Sequence, residues 1–382
     1  MTDLAQLSSG LYAPYSAGLG SPVQPNGERR TVTKTEMLTC PARMGFARNQ
    51  WYVAAFASEL GRTLVKRQLL GDHVVMFRTE SGTPIALADR CPHRGLPLSQ
   101  GMLDHDMLRC GYHGMAFGPN GACAHIPSQT SIPANMRVHS YPMIEKSIWI
   151  WIWMGDAAKA DPALVPDHEE IGLDKAGYEV TEMFRMDIPG NYQLLHENLL
   201  DVSHISYLHP GMLDDGSVGA AKTDVSFAAD RITISRAVEE IANRGTAFAF
   251  SLEEGKRYHR TLVTWTVPPS LSVISNTHVD LTDPAAPPRV LISPFGITPA
   301  NARTTHQFVA TATSYPGKQP QAAIDYVWQI FEQDNVAIRA IQNLVDETGY
   351  YHEEYSVKVD AAALRCRLRN AELVERERVE PA

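Results

Sequence analysis

Cys91-Pro92-His93, then 16 residues, then Cys110-Gly111-Tyr112-His113: this stretch sets the chemistry of the N-terminal half of the chain. Its two halves, Cys-x-His and Cys-x-x-His, supply two thiolates and two imidazoles. That set suits a [2Fe–2S] cluster with both cysteines on one iron and both histidines on the other. Neutral imidazoles in place of thiolates lower the negative charge of the cluster and raise its reduction potential. A structural zinc site uses the same donor types. Zinc fingers, however, usually pair Cys with Cys and His with His, whereas each half here mixes one of each. Cys91 follows the apolar run Ile85-Ala86-Leu87-Ala88, and Cys110 follows Met107-Leu108. Gly111 and Gly114 leave room for backbone N–H groups to approach sulfur.

Strand and turn signals surround the motif. Val74–Phe77 and Ile85–Ala88 flank Glu80-Ser81-Gly82-Thr83, a hairpin signature. Gly118-Pro119-Asn120-Gly121 marks a second turn. Ser147–Trp153 reads as a strand with three Trp on one face, best explained as packing. The expectation is an all-β domain over residues 43–158. Residues 1–42, rich in Ser-Gly, Gly-Ser-Pro and Pro-Asn-Gly segments, read as an N-terminal extension. Asp161–Pro166 reads as a linker into an α+β domain over 159–382. In that domain helix is expected at 190–209, with Tyr192, Leu195 and Leu199 on one face. Several strands are expected over 228–315 and a long amphipathic helix over 320–347.

The chain of 382 residues carries 34 Lys+Arg against 43 Asp+Glu, a net charge of −9, which disfavours nucleic acid as a partner. No run reaches the ~18 apolar residues of a spanning helix, and the N-terminus has no secretory pattern. Cys40, Cys123 and Cys366 are scattered thiols beyond the motif, which fits a reduced, cytoplasmic setting. No Gly-x-Gly-x-x-Gly follows a strand, so nucleotide binding is not expected on this chain.

A second constellation is Asn198-Leu-Leu-Asp201-Val-Ser-His204-Ile-Ser-Tyr-Leu-His209. Asp201 and His204, three apart, would be neighbours on a helix. His204 and His209 would point roughly 140° apart on an ideal helix. Both reach one metal only if the helix ends or distorts, and Pro210-Gly211 supplies an end. Two His and one carboxylate form the facial triad of a non-haem Fe(II) site with open positions for O₂ and substrate. Spacing does not say which carboxylate completes the triad; Asp325 and Glu332 stand near Asp334, and only a family resemblance points to that segment and ranks them.

With both motifs in one chain, the sequence resembles the oxygenase component of the Rieske non-haem iron oxygenases, and within them the vanillate O-demethylase and dicamba monooxygenase branch. The resemblance runs from Asn49-Gln50-Trp51-Tyr52 to about Leu368. It implies an all-β Rieske domain followed by a catalytic domain with an antiparallel sheet. It implies that Cys91, His93, Cys110 and His113 hold the cluster, and that His204, His209 and Asp334, in Phe331-Glu332-Gln333-Asp334, hold mononuclear Fe(II). It gives Asp201 a bridging role between His204 and His113 of the partner subunit in a homotrimer, a carboxylate accepting a hydrogen bond from each imidazole, with Asn198 beside it in the catalytic motif. A ferredoxin or flavin reductase would deliver electrons from NADH. The implied reaction is monooxygenation of an O- or N-linked alkyl carbon of an aromatic compound, with dealkylation and aldehyde release. Phe295, in Phe295-Gly-Ile-Thr-Pro299, stands where acid-binding relatives have His, which points to a neutral substrate. A ring-hydroxylating dioxygenase shares every ligand, and a non-catalytic iron–sulfur carrier needs only the first motif.

Overall fold

The computed structural model describes residues 45–283, 285–348 and 355–379; the expected extension over 1–42 lies outside them. The first half is all β, as expected. Strands β1 (Trp51–Phe56), β11 (Trp149–Trp153) and β10 (Met143–Lys146) form one sheet. Strands β2 (Val65–Leu69), β3 (Asp72–Arg78), β4 (Pro84–Ala88) and β9 (Ser140–Tyr141) form a second. A third, of β5 (Met102–Asp104), β6 (Met107–Arg109), β7 (Ala116–Phe117) and β8 (Cys123–His125), carries the second motif half. The predicted hairpin is β3–β4, with Val74 opposite Ala88 and Phe77 opposite Ile85. The turn at Gly118–Gly121 closes through Gly121 N–H to the Gly118 carbonyl at 2.8 Å and leads into β8.

The second half is built on one antiparallel sheet of seven strands. In spatial order these are β12 (Glu179–Ile188), β18 (Thr304–Thr313), β17 (Arg289–Asn301), β16 (Leu271–Asp280), β15 (Arg257–Val267), β14 (Ile232–Ile241) and β13 (Asp224–Phe227). Along β15, alternate residues from Tyr258 to Thr266 are buried, the period expected where one face is covered. Strand β18 is buried almost throughout because both its faces are covered. The helices are α1 (Tyr192–Leu200), the short α2 (Ile205–Leu208), α3 (Ser217–Ala220), α4 (Arg244–Phe250), α5 (Gln321–Thr348) and α6 (Ala361–Val379). Helix α5 matches the expected amphipathic helix, with Ala323, Ile330, Ile338 and Val345 buried at a repeat of seven to eight residues. Helix α1 buries Tyr192, Leu195 and Leu199, but also Leu194 and Leu200, so it is buried on more than the one face that the spacing suggested.

The three Trp of β11 face the seven-stranded sheet. Trp149, Trp151 and Trp153 share a core with Val273, Ile292, Phe308 and Ala310, while Ile150 and Ile152 on the other face pack with Tyr52 and Met76. Gly296 lets β17 approach β1: a Cβ there would stand 2.6 Å from Val53 Cγ2. Thr298 Oγ1 donates to the Val53 carbonyl at 2.7 Å, and Leu70 and Gly71 N–H donate to the Pro299 and Ala300 carbonyls at 2.7 and 2.8 Å. The aromatic stripe is thus the seam that fixes the small sheets to the large one.

Candidate metal centres

The two motif loops share one backbone plan. Gly95 N–H closes on the Cys91 carbonyl at 2.9 Å and Gly114 N–H on that of Cys110 at 3.0 Å. Each cysteine N–H then bonds across the loop base, Cys91 to the Leu96 carbonyl and Cys110 to that of Met115. Both glycines have φ above +70°, a left-handed conformation that side chains disfavour. Cys91 and Cys110 are buried, and His93 and His113 are exposed. Burial pushes the Cys91 thiol up, and hydrogen bonds from the His93 and Arg94 backbone oppose it. His93 Nδ1 and His113 Nδ1 lie 3.2 Å apart. One metal ion with imidazole bonds of about 2.0–2.1 Å spans such a pair.

The second site is assembled from segments far apart in sequence. Helix α1 is capped by Asn191, whose side chain accepts from Gln193 N–H, and stops at Asp201 (φ −114°, ψ 82°). A single 3₁₀ turn, Val202–His204, leads into α2, which ends at His209 before Pro210. Two departures from a continuous helix therefore bring the imidazoles together, with ring centroids 5.3 Å apart. The break also corrects one expectation: Asp201 does not share a helical face with His204. Its carboxylate caps the turn by accepting from Ser203 N–H at 3.0 Å and from the Ser203 hydroxyl, and its backbone carbonyl accepts from His204 Nδ1.

Helix α5 supplies the third member. Asp334 Oδ1 lies 3.4 Å from His204 Nε2 and 3.2 Å from His209 Nε2, and the three potential ligand atoms lie within 4.8 Å of one another. Asp325 instead accepts from Gln321, and Glu332 from Asn335, so the geometry singles out Asp334. Burial opposes its charge, but the hydrogen bonds from His204 and His209 outweigh it and hold the carboxyl down to about 2. Asn198 Nδ2 donates to Asp334 Oδ1 at 2.9 Å. Both imidazoles turn Nε2 inward because Nδ1 is engaged outward: His204 on the Asp201 carbonyl, His209 on Gln333 Oε1 at 2.7 Å. Fixing the far nitrogen sets the tautomer of a ligating His. Two neutral nitrogens and one carboxylate, convergent and with outer partners in place, fit a facial Fe(II) triad.

Gln333 escaped the sequence reading; its only signal is adjacency to Asp334. The loop after His209 is pinned as well. A Cβ on Gly245 of α4 would meet the Gly211 carbonyl at 2.2 Å, and Tyr326 donates to the Met212 carbonyl at 3.0 Å. Between the sheet and α5 lies an apolar cavity of about 110 Å³ walled by Ile205, next to His204 in the chain, by Phe331, one helical turn before Asp334, and by Leu262, Leu291 and Phe295. Phe295 is buried there, its ring 5.7 Å from that of Phe331. Arg260 and Asn276, which the sequence did not single out, also line it.

Comparison with known proteins agrees with both halves. Residues 50–142 match the Rieske [2Fe-2S] domain and residues 188–376 the vanillate O-demethylase oxygenase C-terminal domain. The chain is 32% identical to a putative toluene-4-sulfonate monooxygenase system iron-sulfur subunit of Comamonas testosteroni, over 78% of this chain and 89% of that one. It is 41% identical to the dicamba O-demethylase oxygenase component of Stenotrophomonas maltophilia, over 44% of this chain and 48% of that one. The crystal structure of dicamba monooxygenase bound to 3,6-dichlorosalicylic acid superimposes with a TM-score of 0.80 at 26% identity, covering 88% of this chain and all of that one. The chain belongs to the Rieske non-haem iron oxygenases, in the branch of vanillate O-demethylase and dicamba monooxygenase oxygenase components. Its cofactors are a Rieske [2Fe–2S] cluster and mononuclear iron, and it is one component of a multicomponent oxygenase system.

Proposed function

We propose that this chain hydroxylates an O- or N-linked alkyl carbon of a small aromatic compound, which then loses the alkyl group as an aldehyde. The observation that carries the proposal is the convergent His204, His209 and Asp334 set, with an apolar cavity walled by the neighbouring Ile205 and Phe331, in a chain that also carries the two cluster loops. When bound, the cluster relays electrons and the iron activates O₂. The chain's own residues do the rest. Residues 43–158 hold the cluster through Cys91, His93, Cys110 and His113; residues 159–382 hold the iron through His204, His209 and Asp334. Gln333 and the Asp201 carbonyl keep both Nε2 atoms free to ligate, and Asn198 orients Asp334. Phe295 and Phe331 shape the cavity and exclude water from it. The dealkylation reading is supported by the O-demethylase names of the matched domain and of the dicamba relative. Aromatic walls, with Arg260 balanced by Glu240, favour a neutral aromatic substrate.

The working unit is a homotrimer in which Asp201 bridges His204, held by its backbone carbonyl, and His113 of the partner subunit, held by its carboxylate. Supporting this, His93, Tyr112 and His113 stand exposed on one loop pair, and Tyr207, between the two iron-site histidines in sequence, is 81% exposed. A ferredoxin or flavin reductase delivers the electrons from NADH, in the cytoplasm; no helix among the described residues is long and apolar enough to cross a membrane. The test is a screen of aryl methyl ethers and N-alkyl anilides with a surrogate reductase under ¹⁸O₂. One ¹⁸O in the released aldehyde, trapped before it exchanges with water, and a stoichiometric phenol or amine without label are expected. Two labelled oxygens on the ring would instead identify a ring-hydroxylating dioxygenase.

A further inference from the structure

Arg260 is an unusual wall for an apolar cavity. It is 1% exposed, and its donors are taken up by other residues of the wall, Leu213 and Asn276, and by Glu240. Nη1 donates to the Leu213 carbonyl at 2.7 Å and lies 3.5 Å from Glu240 Oε2. The guanidinium stacks over the Phe250 ring, 4.7 Å from its centroid. Glu240 is also buried, and its other oxygen lies 3.2 Å from His278 Nε2. The remaining donors, Nε and Nη2, both point at Asn276 Oδ1, at 2.9 and 2.7 Å.

A guanidinium only donates. It therefore fixes which end of the Asn276 amide faces it: the carbonyl oxygen, with both contacts on that one atom. The NH₂ end is forced to the other side. Asn276 is 4% exposed and lines the cavity, and its NH₂ has no acceptor among the described residues. Strand pairing places Arg260 and Leu262 on β15, Ile274 and Asn276 on β16, and Leu291, Ser293 and Phe295 on β17 at alternate positions, so their side chains share the sheet face that looks at α5. Across from Ser293, Thr311 is 5% exposed, lines the same cavity, and its hydroxyl has no partner. Buried polar groups are normally satisfied. A buried hydroxyl without a partner and an amide NH₂ without an acceptor, in one cavity, ask for a ligand that completes them.

We infer that Arg260 is a positioning residue that locks Asn276 as a pure donor, so that the cavity selects aromatic substrates bearing a hydrogen-bond-accepting oxygen, such as a ketone or a nitro group, which Asn276 and Thr311 bind. Without the Arg260 contacts the amide is free to rotate and offer its own oxygen, and the site would then take a donor equally well. The selection is therefore for acceptors over donors, and it comes from one buried ion pair behind the wall. The inference rests on the dealkylation reading only for which bond reacts; the binding preference stands apart from it.

The test compares 4-methoxyacetophenone with 4-methylanisole, which has the same ring and ether but no second acceptor. Dissociation constants measured by calorimetry on the cluster- and iron-loaded protein should favour the ketone by tenfold or more. In Asn276→Asp a carboxylate keeps the contact to Arg260 but removes the donor. Ketone binding should then fall at least tenfold, with 4-methylanisole changing less than twofold. In Arg260→Met the preference for the ketone over 4-hydroxyanisole should shrink, because the amide can turn. Should Arg260→Met not fold, Thr311→Val, which keeps the shape of the wall but removes a hydroxyl partner, should weaken ketone binding with 4-methylanisole unchanged. Equal affinity of the wild type for ketone and methyl compounds overturns the inference, as does an unchanged preference in Asn276→Asp. Tighter binding of 4-methoxybenzenesulfonate than of the ketone keeps the donor set and overturns its assignment to neutral groups. Selective ketone binding with no formaldehyde from any ether supports the inference and removes the dealkylation reading.

Discussion

The two metal centres are built by opposite strategies. The cluster loops are local: four candidate ligands within 23 residues, from Cys91 to His113, placed by backbone hydrogen bonds that repeat in both loops, with the histidines left exposed. The candidate iron site is distributed: potential ligands 130 residues apart, from His204 to Asp334, placed by side-chain contacts from Asn198 and Gln333 and by one backbone carbonyl, with His209 and Asp334 buried. A loop-built site tolerates changes around it and serves as a contact surface. A side-chain-built site depends on each neighbour and shields its chemistry from water. Substitutions should therefore act locally at the cluster and spread through the network at the iron.

The sharpest break between the two is Asp334→Ala. It should abolish turnover and lower iron from about three to about two per chain, while the brown colour and Rieske signal persist. Iron remaining near three per chain would remove Asp334 from the ligand set. Asp201→Asn comes next. Its amide oxygen can still cap Ser203, and the backbone carbonyl that holds His204 is unchanged, so both centres should load fully. Turnover should nevertheless collapse, because a neutral amide is a weaker acceptor than a carboxylate for His113 of the partner subunit. Full turnover by this variant would take Asp201 out of the electron path.

Gln333→Leu tests the network itself. It strands His209 Nδ1–H in a buried site, and loss of such an outer partner typically costs about 10- to 100-fold in metal affinity. Iron titration of the apo-site, with the cluster as internal standard, reads this directly; unchanged iron affinity would mean that the Gln333 contact positions nothing. Phe295→His should act more gently. A buried imbalance of roughly 1–3 kcal/mol translates to about tenfold or more in KM for a neutral substrate. If KM is unchanged for every substrate found, Phe295 does not face the bound molecule.

The same contrast explains what the sequence discloses. The cluster loops were legible outright because ligand order and turn glycines are local features. The hairpin at Glu80–Thr83, the Gly118–Gly121 turn and the length of α5 were legible for the same reason. At the iron site the two histidines and the need for a helix end were legible, but the break at Asp201 was not, since it depends on how α1 docks. Asp334 could be ranked above Asp325 and Glu332 only by resemblance, because all three lie on one helix and only tertiary packing decides which faces the histidines. Gln333, Arg260 and Asn276 carry no local pattern at all. The Trp stripe read correctly as packing, but what it packs against, a sheet more than 100 residues downstream, was beyond any window of sequence.

That seam yields the smallest predicted effect, and one that leaves both metal centres alone. His168 lies fully buried between Trp149 and Trp151. The Trp151 indole only donates, and its N–H lies 3.0 Å from His168 Nε2, so Nε2 must accept and the proton sits on Nδ1, 2.8 Å from Ser147 Oγ. A second proton would set two donors face to face. Burial, with Lys146 adding to it against the pull of Asp174 and Asp167, lowers the His168 pKa to about 4. As pH falls below about 6.5 the unfolded chain takes up this proton first. The stability that neutral His168 contributes is therefore complete above pH 6.5 and drains away toward pH 4, by about 3 kcal/mol over the range. In His168→Gln the amide oxygen still accepts from Trp151 and the NH₂ still donates to Ser147, but nothing titrates. The difference in urea midpoint between wild type and His168→Gln should narrow or reverse from pH 7.5 to pH 5, with cluster and iron content equal in both. A difference that stays constant across that range would show that the seam holds its histidine without regard to charge.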